Sequence, residues 1–255
     1  MNGAEKDLLL TKWVETKIMT DEHVCREAKD RLLCEHRVVL TVKWEVQNTE
    51  TIRINCTASD IEELCAGVLL TRGYIRTAEE IVSMVIDREP CTTEAYESCV
   101  SITLRADWRL DREPMPVPAG GGFRFGKIRP EQVFGLAGQF RQYEGLHAQT
   151  AGTHLCMLAK EQEILFITED ISRHNAIDKA AGYALLHGID REACMLFSSG
   201  RVQEDTVKKV VSSGIGVLVS KSVPTAQAVE LAKKAGLCLI CRAWKDEYRI
   251  YAAEQ

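Results

Sequence analysis

At 255 residues, 45% hydrophobic and 27% charged, the chain is long enough to bury a large core and falls in the range of one or two domains. Its formal net charge of −5 argues against a general attraction to nucleic acid or an anionic membrane, so any anion site must be a local cluster. No apolar stretch approaches the ~20 residues of a bilayer span, and the polar start Met1–Lys6 carries no secretory signal, which makes the cytoplasm the expected compartment.

In chain order, Val38–Val46 and Thr51–Asn55 alternate β-branched residues as strands do, with a turn at Gln47-Asn48-Thr49. Ser59 to Glu62 has the form of a capping box and opens a helix whose apolar positions Ile61, Leu64, Cys65, Val68 and Leu69 repeat until Gly73. A second box, Thr77 to Glu80, precedes Ile81 and Val82, and Val100–Leu104 returns as a strand. Pro114, Pro116 and Pro118 then alternate before Gly120-Gly121-Gly122, a combination that predicts a loop and a domain boundary. A helix begins after Pro130 and runs through Gln142, ending near Gly145.

Beyond Thr153 the pattern is regular. Strands at Ile164–Thr168, Cys194–Phe197, Ile215–Val219 and Leu237–Ile240 alternate with helices at His174–Leu186, Val202–Val211 and Thr225–Lys234, and Tyr248–Tyr251 closes the chain. This alternation predicts an α/β fold with a largely parallel sheet covered by helices. The organisation expected is an N-terminal α+β domain over 1–118, a Gly-rich loop and connecting helix over 119–145, and a C-terminal α/β ligand-binding domain over 146–255.

Ligands of open α/β sheets bind outside the carboxyl ends of the strands. Three such ends carry hydroxyls and cations: Glu169–Asn175, Ser198-Ser199-Gly200-Arg201, and Ser220-Lys221-Ser222-Val223-Pro224-Thr225. Hydroxyls, helix N-terminal amides and Arg or Lys side chains are what a phosphate requires, so a nucleotide-like anion is one reading of these segments. Helix caps and solvated cations are the other. Arg173, His174, Asn175, Asp178 and Lys179 form the densest polar cluster, and helical spacing puts Asn175, Asp178 and Lys179 on one side. His174 reads either as a proton or oxyanion donor or as a structural histidine. The loop Thr150–His154 offers a second donor in His154, or a simple turn.

Most of the ten cysteines sit among apolar neighbours and read as buried thiols. Cys238 and Cys241 are formally C-x-x-C, but residues three apart on a strand face opposite sides. No Walker loop, no strand-linked G-x-G-x-x-G and no H-E-x-x-H occurs, and no zinc site is expected.

Glu169-Asp170-Ile171-Ser172-Arg173-His174-Asn175-Ala176-Ile177-Asp178-Lys179 resembles E-D-x-G-R-H-N-A-x-D-K, a signature of the formate dehydrogenase accessory protein family, FdhD/NarQ. Ser199-Gly200-Arg201 with Glu204 resembles its S-G-R-x-x-x-E segment, and Ser222–Thr225 its S-x-P-T. Thr150–His154, Cys56–Gly73 and Gly236–Tyr251 are similar to three further family segments, so the resemblance spans about residues 30 to 251.

It implies a cytidine deaminase-like α/β/α domain beside a smaller mixed domain, and binding of the molybdenum bis(molybdopterin guanine dinucleotide) cofactor with a role in its sulfuration and maturation. It further implies a cysteine desulfurase and formate dehydrogenase as partners, a homodimer, and no nucleic acid or membrane partner. The implied cofactor-binding residues are His154, Arg173, His174, Asn175, Asp178, Lys179, Ser199, Gly200, Arg201, Ser222, Thr225, Arg242, Trp244 and Lys245. The family's persulfide is carried by a C-G-x-C-G loop, and the matching stretch here is Ala119-Gly120-Gly121-Gly122-Phe123. Neither Ala119 nor Gly122 has a thiolate to accept sulfur. Ser172 replaces a family glycine, and Cys241-Arg242 replaces G-F.

Three functions follow as expectations. The first is cofactor handling at the strand ends without a persulfide cysteine. The second is a sulfurtransferase using another cysteine, such as Cys156 or Cys241. The third is an unrelated nucleotide-binding enzyme with His174 and Asp178 as acid and base.

Overall fold

A computed structural model describes residues 10–21, 23–45, 48–87, 96–105, 128–243 and 246–253. The predicted Pro/Gly-rich loop, with Ala119 and Gly122, lies outside the described residues, as do Trp244 and Lys245.

The chain opens with an antiparallel ribbon of β1 (Thr11–Met19) and β2 (Cys25–Leu33), which joins neither larger sheet. A four-stranded sheet follows, built from β3 (His36–Trp44), β4 (Thr49–Cys56), β5 (Ile81–Asp87) and β6 (Tyr96–Leu104) in the order β4-β3-β6-β5. Along β3, Val38, Leu40, Val42 and Trp44 point inward while Arg37 and Lys43 are exposed, which is the alternation of a sheet with one covered face. Helix α1 (Ile61–Thr71) packs beneath.

Of the two expected capping boxes, one forms and one needs correction. The N-cap of α1 is Asp60, held in a left-handed conformation at φ 53°, and its carboxylate accepts from Thr168 Oγ1 at 2.7 Å instead of capping the helix. The Ser59–Glu62 box is therefore not formed: Ser59 Oγ lies 3.3 Å from both Thr57 Oγ1 and Lys179 Nζ, and Glu62 is exposed. The Thr77–Glu80 box does form, but it closes only the 3-10 turn Ala78–Glu80 ahead of β5.

The second half contains α2 (Pro130–Gln142), α3 (Leu146–Thr150), β7 (His154–Lys160), β8 (Glu163–Asp170), α4 (Arg173–Leu186), β9 (Cys194–Ser198), α5 (Glu204–Ser213), β10 (Val217–Ser220), α6 (Ala226–Ala235), β11 (Cys238–Cys241) and β12 (Arg249–Ala252). Their six strands run in the order β12-β11-β10-β9-β7-β8. The α/β class is as expected, but the sheet is mixed: β9, β10 and β11 are parallel, while β7 pairs antiparallel with both β8 and β9, and β12 with β11. The reason is the short β7–β8 hairpin, since a tight turn joins only antiparallel strands and a parallel pair needs a long crossover.

The two faces of this sheet separate cleanly. Cys156 and Leu158 of β7, Leu196 of β9, Leu218 of β10 and Leu239 of β11 face a core shared with α4, α5 and α6. Their neighbours Met157, Phe197, Val217, Val219 and Ile240 face α2 through Val133, Leu136 and Phe140. Cys238 and Cys241 fall on opposite faces, as their spacing on a strand requires.

Helix α4 lies at the centre, with α1 on one side and the six-stranded sheet on the other. Covered from both directions, it buries Ala176, Ile177, Ala180, Ala181 and Ala184 together with Asn175, Asp178 and Lys179. Its crossing with α1 depends on two glycines. A Cβ on Gly67 would lie 1.8 Å from the Asp178 carbonyl oxygen, and one on Gly182 would lie 1.9 Å from that of Glu63. One hydrophobic core consequently runs from the four-stranded sheet through α1 and α4 into the six-stranded sheet. Among the described residues no helix is long and apolar enough to cross a membrane.

Candidate functional site

The carboxyl ends of β9, β10 and β11 lie side by side, and their loops are knitted together by the residues that leave each strand. Gly200 N donates to Ser198 Oγ at 3.2 Å, and Ser220 Oγ donates to Gly200 O at 2.7 Å. Ser222 N donates to Ser220 Oγ at 3.0 Å, and Arg242 N to Ser222 O at 2.9 Å. Ser199 Oγ accepts from Leu155 N at 3.0 Å and lies 3.4 Å from His154 Nδ1, which ties β7 to the same surface. Thr225 caps α6 by accepting from Ala228 N. Most of these hydroxyls therefore shape the loops.

The cations are differently placed. Arg201, Lys221 and Arg242 are exposed and form no ion pair with a described residue, and Arg242 stands at φ 53°. Arg173 crosses Gly200 so closely that a Cβ there would meet its Cδ at 2.9 Å, which makes glycine a packing requirement. The Arg173 guanidinium donates to Gln203 Oε1, while its Nε is buried without a partner among the described residues. His174 Nε2 sits 2.9 Å from Asp205 Oδ2.

His154 reports the field of this surface. Burial is the main reason its imidazole is held below the ordinary value, and Arg173, His147, Lys221 and His174 all push in the same direction. Burial also lowers His174, with Arg173 and Lys209 adding to the effect and Asp205 opposing it. An acidic chain thus carries a local cationic surface around a neutral imidazole.

Asn175, Asp178 and Lys179 are placed behind this surface, not on it. Asp170 is fully buried and accepts from Thr57 N at 3.0 Å, Ser172 N at 3.0 Å and Asn175 Nδ2 at 2.9 Å, and pairs with Lys179 Nζ at 2.8 Å. Lys179, also fully buried, reaches Thr57 Oγ1 and Glu169 O as well. Asp178 accepts from Thr71 Oγ1 and Lys209 Nζ, each at 2.7 Å. Glu169 accepts from Leu146 N, His147 N and Thr153 Oγ1, fixing the start of α3 and the loop before His154. The spacing read as one helix face is instead split: Asn175 and Lys179 converge on Asp170, while Asp178 turns to α1 and α5.

That split removes Asp178 as an accessible acid or base beside His174. The two cysteines proposed as alternative sulfur carriers fare no better. Cys156 and Cys241 are both fully buried, and burial raises both thiols, Cys241 to about 12. Neither presents a thiolate to a partner.

The FdhD/NarQ family model matches residues 33–255. The chain belongs to the FdhD/NarQ family. Its curated relatives in this family include the protein named sulfur carrier protein FdhD of Geobacillus kaustophilus, 30% identical, with 89% of this chain and 90% of the relative covered. The protein of the same name from Halalkalibacterium halodurans is 29% identical over 86% of this chain and 85% of its own. A crystal structure from Desulfotalea psychrophila, described as a formate dehydrogenase accessory protein, superposes with a TM-score of 0.74 at 22% identity and covers 96% of this chain and 97% of that one. That likeness establishes a shared fold.

Within the FdhD/NarQ chain, Gln203, Asp205, Lys221 and His147 join the site although no motif singled them out. Only Lys221 had a signal, its place in a strand-end loop. The lowered His154 and His174 also predict a pH dependence. Because the unfolded chain protonates these imidazoles first, stability is complete above about pH 6.5 and falls as pH drops below it. Urea midpoints measured from about pH 7.5 to about pH 5 should decline less in His154→Gln and His174→Gln than in the parent chain.

Proposed function

We propose that this FdhD/NarQ chain is a formate dehydrogenase maturation protein that binds the guanine-nucleotide ends of molybdenum bis(molybdopterin guanine dinucleotide) at the carboxyl ends of β9, β10 and β11. The observation that carries this reading is the cationic set of Arg173, Arg201, Lys221 and Arg242 at these strand ends, none of which is ion-paired with a described residue. Those residues fit a pyrophosphate. Planar guanidinium groups supply paired donors to phosphate oxygens, and the buried Arg173 Nε has a donor left to give. His154, kept neutral, can donate one hydrogen bond and accept another, so it orients a nucleotide without adding a charge that must be desolvated.

When bound, the cofactor supplies the metal centre that receives sulfur. This chain's residues bind and orient its nucleotide ends, while Asn175, Asp170 and Lys179 fix the start of α4 from which Arg173 and His174 project. Sulfur itself comes from elsewhere in this reading, because Ala119 and Gly122 carry no thiol and Cys156 and Cys241 are sealed in the core. The relatives' printed name, sulfur carrier, supports a place in the same maturation process, with a cysteine desulfurase and formate dehydrogenase as partners.

Calorimetric titration with GDP tests the site. Arg173→Ala and Arg201→Ala should each weaken binding by about tenfold or more, the expected consequence of losing a hydrogen bond to a charged group worth ~1.5–3 kcal/mol. Lys43→Ala, on the remote sheet, should leave affinity unchanged. Absence of heat at millimolar GDP would overturn the proposal.

A further inference from the structure

The loop that follows β10 is the middle one of the three strand-end loops, and it is bonded to both neighbours. On one side Lys221 N donates to Ser198 O at 3.3 Å, Val202 N to Val223 O at 3.1 Å and Thr225 N to Val202 O at 2.9 Å. On the other side Arg242 N donates to Ser222 O at 2.9 Å and Ala243 N to Ser220 O at 3.1 Å. Val223 therefore stands between the segments that carry Arg201 and Arg242, two residues after Lys221.

Its side chain is exposed where its apolar neighbours are not. Val202 and Ala243, in the flanking loops, are buried, whereas Val223 is 39% accessible. Among the described residues of the three loops it is the one large apolar side chain open to solvent. The backbone leaves it no way inward. Val223 O and Thr225 N are both held by Val202, in a parallel bridge at Pro224. A residue before proline is confined to extended backbone, and a β-branched side chain has few rotamers. The isopropyl group is thus fixed before a ligand arrives, and little rotamer freedom is lost when one covers it.

Arg201, Lys221 and Arg242 answer the phosphate oxygens of a nucleotide and leave its base without a partner. A heterocyclic ring presents a flat apolar face, and methyl groups packed against that face leave water with it. Ligand sites combine such apolar surface with a few polar groups that fix orientation. We infer that Val223 is the residue on which the base of the bound nucleotide packs, so that the site takes a base-bearing pyrophosphate in preference to pyrophosphate itself. This rests on the nucleotide reading given above and adds to it the part of the ligand that the cations do not recognise.

Calorimetric titration of the full chain with GDP and with inorganic pyrophosphate separates the two. Val223→Thr keeps the shape, the β-branching and the fit before proline, and exchanges one methyl for a hydroxyl. It should weaken GDP about threefold to fivefold, the worth of one methyl taken from an apolar contact, and leave pyrophosphate bound as in the parent. Val223→Ile, which keeps the apolar surface, should hold GDP at least as tightly as the parent. Equal losses for GDP and pyrophosphate in Val223→Thr would make the residue a shaper of the loop and overturn the inference. GDP affinity unmoved by Val223→Thr, or a parent chain that binds GDP no more tightly than pyrophosphate, would also overturn it while the anion site stands. If neither ligand binds, the nucleotide reading falls and the inference falls with it.

Discussion

Lys179→Met should destabilise the fold by about 3–5 kcal/mol, the cost of leaving one member of a buried ion pair without its counterion. Both partners are fully buried, and their 2.8 Å contact is embedded in hydrogen bonds to Thr57, Ser172, Asn175 and the Glu169 carbonyl. Without Lys179, Asp170 keeps only neutral donors, from Thr57, Ser172 and Asn175, and no compensating charge. Adding Asp170→Asn should therefore recover part of the loss, because the amide removes the uncompensated charge while retaining an acceptor. Urea unfolding of the two single variants and the double variant measures the coupling. Additive losses would mean that the ion pair does not join α4 to the loop at Thr57.

The α1–α4 crossing should be equally intolerant. Alanine in place of glycine ordinarily favours a helix by up to ~1 kcal/mol. At Gly67 the new methyl would stand 1.8 Å from the Asp178 carbonyl oxygen, so the helices must separate or the carbonyl must turn away. Overpacking of this kind costs ~1–3 kcal/mol and often more where backbone meets backbone, so the steric term outweighs propensity. A net loss of ~2 kcal/mol or more corresponds to a fall in Tm of about 4–8 °C for a chain of this size. Gly182→Ala, facing the Glu63 carbonyl oxygen at 1.9 Å, should behave alike, and the double variant should lose less than the sum once the helices have parted. Gly135→Ala on α2, with open space at its Cβ, should instead raise Tm slightly. A Gly67→Ala protein melting with or above the parent would show that the two helices are free to move apart.

Much of the second half was legible because its elements have strong local signals. Pro130 at the first turn marked α2, and apolar runs punctuated by glycine marked β9, β10 and β11 and the helices between them. Three kinds of strand were not legible. β1 and β2 expose both faces, so they carry no alternation of apolar and polar residues. β7 is covered on both faces and reads as an unbroken apolar run without period. β5 followed a capping signal that closes only one turn.

From the sequence alone follow the α/β class, the family, the loops that form the strand-end surface, and the absence of thiols at Ala119 and Gly122. These depend on residue identity and short-range spacing. Which way Asn175, Asp178 and Lys179 point depended on tertiary structure, because a helix packed on both sides has no solvent face for its spacing to report. The same holds for the cationic surface around His154, where Arg173 and Lys221 come from segments distant in sequence and meet it only once the strands are paired. Charge and burial act through space, and only the folded chain determines the distances involved.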